Sequence, residues 1–159
     1  MTPERVCDYP RPPLVEQRHG PVLVRLGGDL IVQSETYVRV CETYHPPTIY
    51  IPIEAFQSGT LHPTTGRPSF CEWKGIAHYW DLSNRDGQHR QERAAWSYPT
   101  PTDRFKLLAG WISLYPGLMQ SCHLEGELVS PQPGCFYGGW ITSTVMGPFK
   151  GDPLHPELI

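Results

Sequence analysis

The sequence predicts a mainly β domain built from antiparallel sheets, with one short helix. Two observations carry that prediction. Runs of alternating or β-branched residues, such as PVLVRL from Pro21, LIVQS from Leu30 and TYVRVCE from Thr36, recur between turn signals. The 159 residues also include 18 Pro and 15 Gly, above average usage, and both residue types gather where chains turn. A chain of this length can bury its own core without disulfides or a metal, so one principal domain is expected.

Taken in order, residues 1–20 are Pro-rich and polar and read as an arm lying over the surface or partly disordered, ahead of a β domain at 21–130 and a Gly/Pro-rich extension at 131–159. In the domain, PVLVRL and LIVQS flank a Gly27-Gly28-Asp29 turn as a hairpin, and TYVRVCE reads as a third antiparallel strand. The prolines of His45-Pro46-Pro47 end that run, and TIYIP, from Thr48, starts another. Residues 53–68 read as a loop able to flank a site. SFCEW and GIAHYWDL follow as strands, and NRDG at 84–87 signals a hairpin into QHRQERAAWSY. The helix falls on DRFKLLAG, capped by Thr102 or Asp103, with Phe105, Leu107 and Leu108 as its apolar face and Gly110 as its stop. WISLY and LMQSCHLE close the domain around Pro116-Gly117.

Charge and cysteine usage narrow the classes of partner. A formal net charge of −3 provides no basic footprint, which disfavours nucleic acid. No run approaches the roughly 18 apolar residues of a membrane helix, and the N-terminus lacks the apolar core of a secretory leader. The expectation is a cytoplasmic chain with no membrane partner. Cys7, Cys41, Cys71, Cys122 and Cys135 form no CxxC pair, which suits reduced thiols better than a disulfide framework or a zinc knuckle. No metal and no cofactor are predicted, and the sequence sets no oligomeric state.

Three segments concentrate residues able to do chemistry. In CEWKGIAHYW, Cys71, Trp73, Lys74, His78, Tyr79 and Trp80 lie within ten positions. Strand alternation puts Ile76, His78 and Trp80 on one face and Ala77 and Tyr79 on the other. In CETYHPPTIY, His45 follows Glu42 by three residues, as a base and its orienting carboxylate would, with Tyr50 nearby. In AAWSYPTP, Trp96 and Tyr98 share a face and Ser97 takes the other. The aromatics read either as core or as the walls of a cage. Converging on one pocket, Trp73, Trp80, Trp96, Tyr98, Tyr50 and His78 would bind a small molecule, with Lys74 and His45 fixing its polar group. In the competing enzymatic reading Cys71 is a thiolate nucleophile activated by Lys74, with His78 or His45 as base. A third reading is an assembly protein that uses the arm and the FYGGW tail.

The segments HPPxxYxP (45–52), CxxKGxAxYW (71–80) and AWSYPxP (95–101) resemble, in order and spacing, the family known as domain of unknown function 427, over roughly residues 20–127. CEWKG departs from the CPFKG or CPYKG form of that family, and the FYGGWxT and GPFKG tail is similar to a longer subgroup associated with photosynthetic bacteria. The resemblance implies a β-tent fold, two antiparallel sheets meeting at an angle, shared with methionine-R-sulfoxide reductases and the thalidomide-binding domain of cereblon. Zinc, held by CxxC pairs in many such folds, has no such ligands here. The family has also been labelled a nucleotidyltransferase, but the sequence offers no carboxylate pair or Gly-Ser motif to hold Mg²⁺ and a triphosphate.

Overall fold

The computed structural model describes residues 2–71, 73–134 and 136–158, so Glu72 of the CEWKG turn and the Cys135 thiol lie outside the described residues. The chain is mainly β, as expected. Its strands are β1 (Glu4–Arg5), β2 (Leu14–Leu26), β3 (Asp29–Cys41), β4 (Thr48–Pro52), β5 (Leu61–Pro63), β6 (Ser69–Cys71) and β7 (Gly75–Ser83). They continue with β8 (Arg90–Ser97), β9 (Trp111–Leu114), β10 (Ser121–Leu124), β11 (Glu127–Leu128), β12 (Ser130–Pro131), β13 (Trp140–Ile141) and β14 (Val145–Met146).

Ten strands form one open antiparallel path, β11-β10-β2-β3-β4-β9-β8-β7-β5, with β6 attached to β7. The tent arises because the two hairpin tips are tied together. The Asn84 side-chain amide donates to the Gly27 carbonyl at 3.3 Å, and the Arg85 backbone N–H donates to the Asp29 carboxylate at 2.9 Å. Gly27 sits in the left-handed region, and a β-carbon there would meet the His89 ring at 2.7 Å, so this joint needs glycine. Val22 and Val24 of β2 and Leu82 of β7 therefore reach one buried cluster although their strands stand far apart in the path. The two expected leaves are halves of one folded sheet.

Strand alternation gives the sheet two cores. Ile49, Ile51, Ile112 and Leu114 join the main cluster inside the fold. Tyr50, Trp96, Tyr98, Val38 and Val40 form a second cluster on the opposite face. That second face is covered by the short helix at Asp103–Leu108, a 3-10 helix whose Phe105 and Leu108 are buried three residues apart, as three residues per turn requires. Gly110, at φ 82°, ends the segment, in line with its predicted stop. Thr102 does not cap it: its hydroxyl donates to the Trp73 carbonyl at 2.5 Å instead, and Leu107 is exposed.

Two expectations need correction. LIVQS and TYVRVCE are one strand of 13 residues: the ladder with β2 passes from Thr36, opposite His19, to Ser34, opposite Val22, across a register shift at Glu35 that bends the strand without ending it. The arm is also more ordered than its composition suggests. β2 runs from Leu14 straight through residue 20, β1 pairs in parallel with β14, and Val6 is fully buried. The extension is similarly anchored, since Trp140 is 1% exposed inside the main core.

Candidate functional site

The second face carries the three segments. β4 turns Tyr50 toward it, between Ile49 and Ile51 on the other side. β8 adds Trp96 and Tyr98, and β7 adds Tyr79, which stands opposite Trp96 in the ladder. Register therefore assembles the aromatics: the Trp96 indole N–H donates to the Tyr50 hydroxyl at 3.1 Å, with the rings edge to face at 6.4 Å. The Trp96 and Tyr115 ring centroids are 4.6 Å apart.

Lys74 reaches this group from the turn between β6 and β7. Gly75 follows at φ 106°, and the Thr102 backbone N–H donates to the Lys74 carbonyl at 3.1 Å, fixing the turn against the end of the AWSYPTP segment. The ammonium lies 6.0 Å from the Tyr98 ring centroid, 5.8 Å from that of Phe105 and 4.0 Å from the Cys71 sulfur. Tyr50, Lys74, Tyr79, Trp96, Tyr98 and Tyr115 line a cavity of about 210 Å³, with Thr48, Phe136 and Gly138 at its rim. Burial pushes the phenols of Tyr50, Tyr98 and Tyr115 above their ordinary range, so they stay protonated donors. Among the described residues no carboxylate lines this cavity. Beneath it, Ser113 stands opposite both Tyr50 and Trp96, and its fully buried hydroxyl has no partner among the described residues.

The rim explains the FYGGW motif of the extension. A β-carbon on Gly138 would overlap the Trp96 indole, and one on Gly139 would lie 2.5 Å from Pro46. FYGGW is thus a strap lying flat on Trp96 and the HPP bend, and its paired glycines allow that close approach. Two glycines between aromatics were the only sequence signal for it. Tyr115, Thr48, Phe136 and Gln132 carried none.

Four of the predicted site residues, Tyr50, Lys74, Trp96 and Tyr98, share the cavity, and Cys71 packs half-buried against the same cluster without lining it. The three-tryptophan cage does not form. Trp80 pairs with Ala95, on the opposite face from Trp96, packs on the main core and donates to the Ser97 hydroxyl at 3.0 Å. His78 is exposed on that side. Trp73 is 39% exposed and borders a neighbouring cleft with His45, Glu42 and Lys150.

His45 does face Glu42, Nε2 to Oε2 at 3.2 Å, but its other nitrogen is occupied. The Gln132 amide nitrogen donates to the Lys150 carbonyl at 2.8 Å, and its oxygen accepts from the Gly139 N–H at 3.1 Å. That orientation directs the amide nitrogen at His45 Nδ1, 3.0 Å away, so Nδ1 accepts and Nε2 carries the proton given to Glu42. This bond to His45 holds the Glu42 carboxyl below its ordinary range. With both nitrogens engaged, His45 latches the HPP bend to the extension and has no lone pair to offer as a base. Tyr44, left-handed at φ 67°, is clamped beside it by backbone bonds to Val6 at 2.9 Å and Lys150 at 2.8 Å.

A folded antiparallel sheet with a donor-lined aromatic cavity on its outer face defines the class of protein. The chain belongs to the family described as domain of unknown function 427 (DUF427), whose sequence model matches residues 14–125. No curated protein matched the chain. No helix is long and apolar enough to cross a membrane among the described residues.

Proposed function

We propose that the cavity under the FYGGW strap binds a small planar anion. The observation that carries this reading is the composition of the lining, aromatic rings together with Lys74 and neutral phenols, all hydrogen-bond donors, and no described carboxylate. A negative charge beside Lys74 gains charge-assisted hydrogen bonds, and a flat body gains stacking on Trp96 and Tyr115. At about 210 Å³ the space suits one substituted ring.

Titration with 4-hydroxybenzoate and with 4-hydroxybenzylamine, followed by calorimetry, tests the reading. Saturable one-to-one binding of the acid alone is expected, weakened at least about tenfold in Lys74→Met. Equal binding of the amine, or no binding of either at millimolar concentration, overturns it. The 4.0 Å approach of Lys74 to the Cys71 sulfur favours a second reading, thiol chemistry at the edge of the same cavity. Alkylation of Cys71 no faster than that of buried Cys122 removes that reading.

A further inference from the structure

A second cavity, of about 280 Å³, opens on the opposite face of β3 and β4, apart from all three family segments' aromatic residues. Its floor is apolar: Ile49 and Trp140, each 1% exposed, with Leu124 beside them. Its walls are charged. Part of the lining, Tyr37, Arg39 and Glu125, lies within the family match, and part, Glu4, Glu127 and Trp140, lies outside residues 14–125. The arm and the extension therefore complete a space that the family domain leaves open.

The charges do not balance. Arg39 is buried and satisfied: its Nε donates to Glu16, and its two terminal nitrogens donate to the two Glu4 oxygens at 2.7 and 2.9 Å. Arg18 is likewise paired with Glu16 at 3.0 Å. Glu16 and Glu4 thus neutralise the two guanidiniums. Glu125 accepts only from the Tyr37 hydroxyl, at 2.7 Å, and Glu127 accepts from the Ser143 N–H and hydroxyl at 2.6 and 2.7 Å. Among the described residues neither has a cationic partner, so two carboxylates face the cavity uncompensated.

We propose that this cavity is a binding site for a small aliphatic amine, its ammonium held by Glu125 and Glu127 and its methylenes lying on Ile49, Leu124 and Trp140. An anion would meet two unpaired carboxylates and two guanidiniums already engaged. An ammonium meets the reverse, and its short stem covers apolar floor. Nothing in this site depends on the aromatic cavity on the other face.

The test is titration of the full chain with 1,5-diaminopentane, with glutarate as the matched dianion, read by calorimetry and by the indole N–H resonance of Trp140. Saturable binding of the diamine alone, with the Trp140 resonance shifting, is expected. Glu125→Gln keeps an acceptor for Tyr37 while removing the charge, and weakens binding at least about tenfold. Thr144→Lys, at the exposed rim, places a tethered ammonium at the mouth and blocks the diamine; this variant decides the matter if the first fails to fold. No saturation, equal binding of glutarate, or full binding by both variants overturns the proposal.

Discussion

Adjacent residues of β4 serve opposite ends of the charge scale. Tyr50 points into a cavity of phenols and one lysine, and Ile49 into a cavity whose walls carry Glu4, Glu125 and Glu127. One strand, with its period of two, supplies a donor-rich pocket on one face and an acceptor-rich pocket on the other. The difference carries the two proposed ligand preferences. The sheet is common to both cavities, and the residues brought over each face decide what it can hold. The strap with Gly138 closes the first, and β1 with Trp140 closes the second.

The contrast breaks most visibly at Trp96. Trp96→Ala removes a nearly buried indole and its bond to Tyr50, at a cost of about 3–5 kcal/mol in denaturant-monitored stability. Folded variant below its lowered midpoint should lose the aromatic acid and keep the diamine. Loss of both would mean that the two faces are coupled. Gln132→Ala comes next, because it leaves the Gly139 N–H, the Lys150 carbonyl and His45 Nδ1 short of a partner. A cost of about 1–3 kcal/mol is expected, with faster amide exchange at Gly139.

The two faces should also fail at opposite ends of the pH scale. Glu4 is held at about 2 rather than the ordinary 4.5, chiefly by its hydrogen bonds from Arg39. A depressed carboxyl contributes its stability above pH 4.5 and loses it as pH falls toward 2. Its side chain is 42% exposed, so screening limits the effect to about 1–2 kcal/mol. Glu4→Gln should flatten the acid limb of the stability curve by that amount. Tyr50 and Tyr98 are shifted the other way by burial, so their contribution is full below the ordinary 10 and is lost in stronger alkali. Stability measured from neutral pH upward should fall only beyond that point, and a Tyr98→Phe variant should fall less.

Thiol labelling provides the smallest and finest readout. Burial pushes the Cys41 thiol up to about 11 and the Cys122 thiol to about 12, so both should label slowly at neutral pH, while half-buried Cys7 and Cys71 label faster. Added 4-hydroxybenzoate should slow Cys71 and leave the others unchanged.

Much of this was written in strand alternation. Ile76, His78 and Trp80 do share a face opposite Ala77 and Tyr79, and Trp96 with Tyr98 opposes Ser97, as the period of two requires. What alternation within a strand cannot convey is the register between strands. Whether Trp80 meets Trp96 or Ala95 depends on a one-residue choice in the ladder, and it is Ala95 that stands opposite. That choice separates Trp80 from the cage. His45 was legible as a partner of Glu42, but its second partner, Gln132, is 87 residues away and belongs to a segment whose composition reads as plain turn. The strap and the ordered arm were hidden for the same reason: their positions follow from long-range contacts that local composition does not encode.

The central claim is that the two faces of the sheet prefer opposite charges, and the indole N–H resonances of Trp96 and Trp140 report on each face separately. Nitrogen-15 spectra recorded during titration with 4-hydroxybenzoate should shift Trp96 saturably and leave Trp140 in place, with Lys74→Met needing at least about tenfold more acid for the same shift. Movement of Trp140 by the acid, or a Trp96 titration unweakened in Lys74→Met, would contradict it.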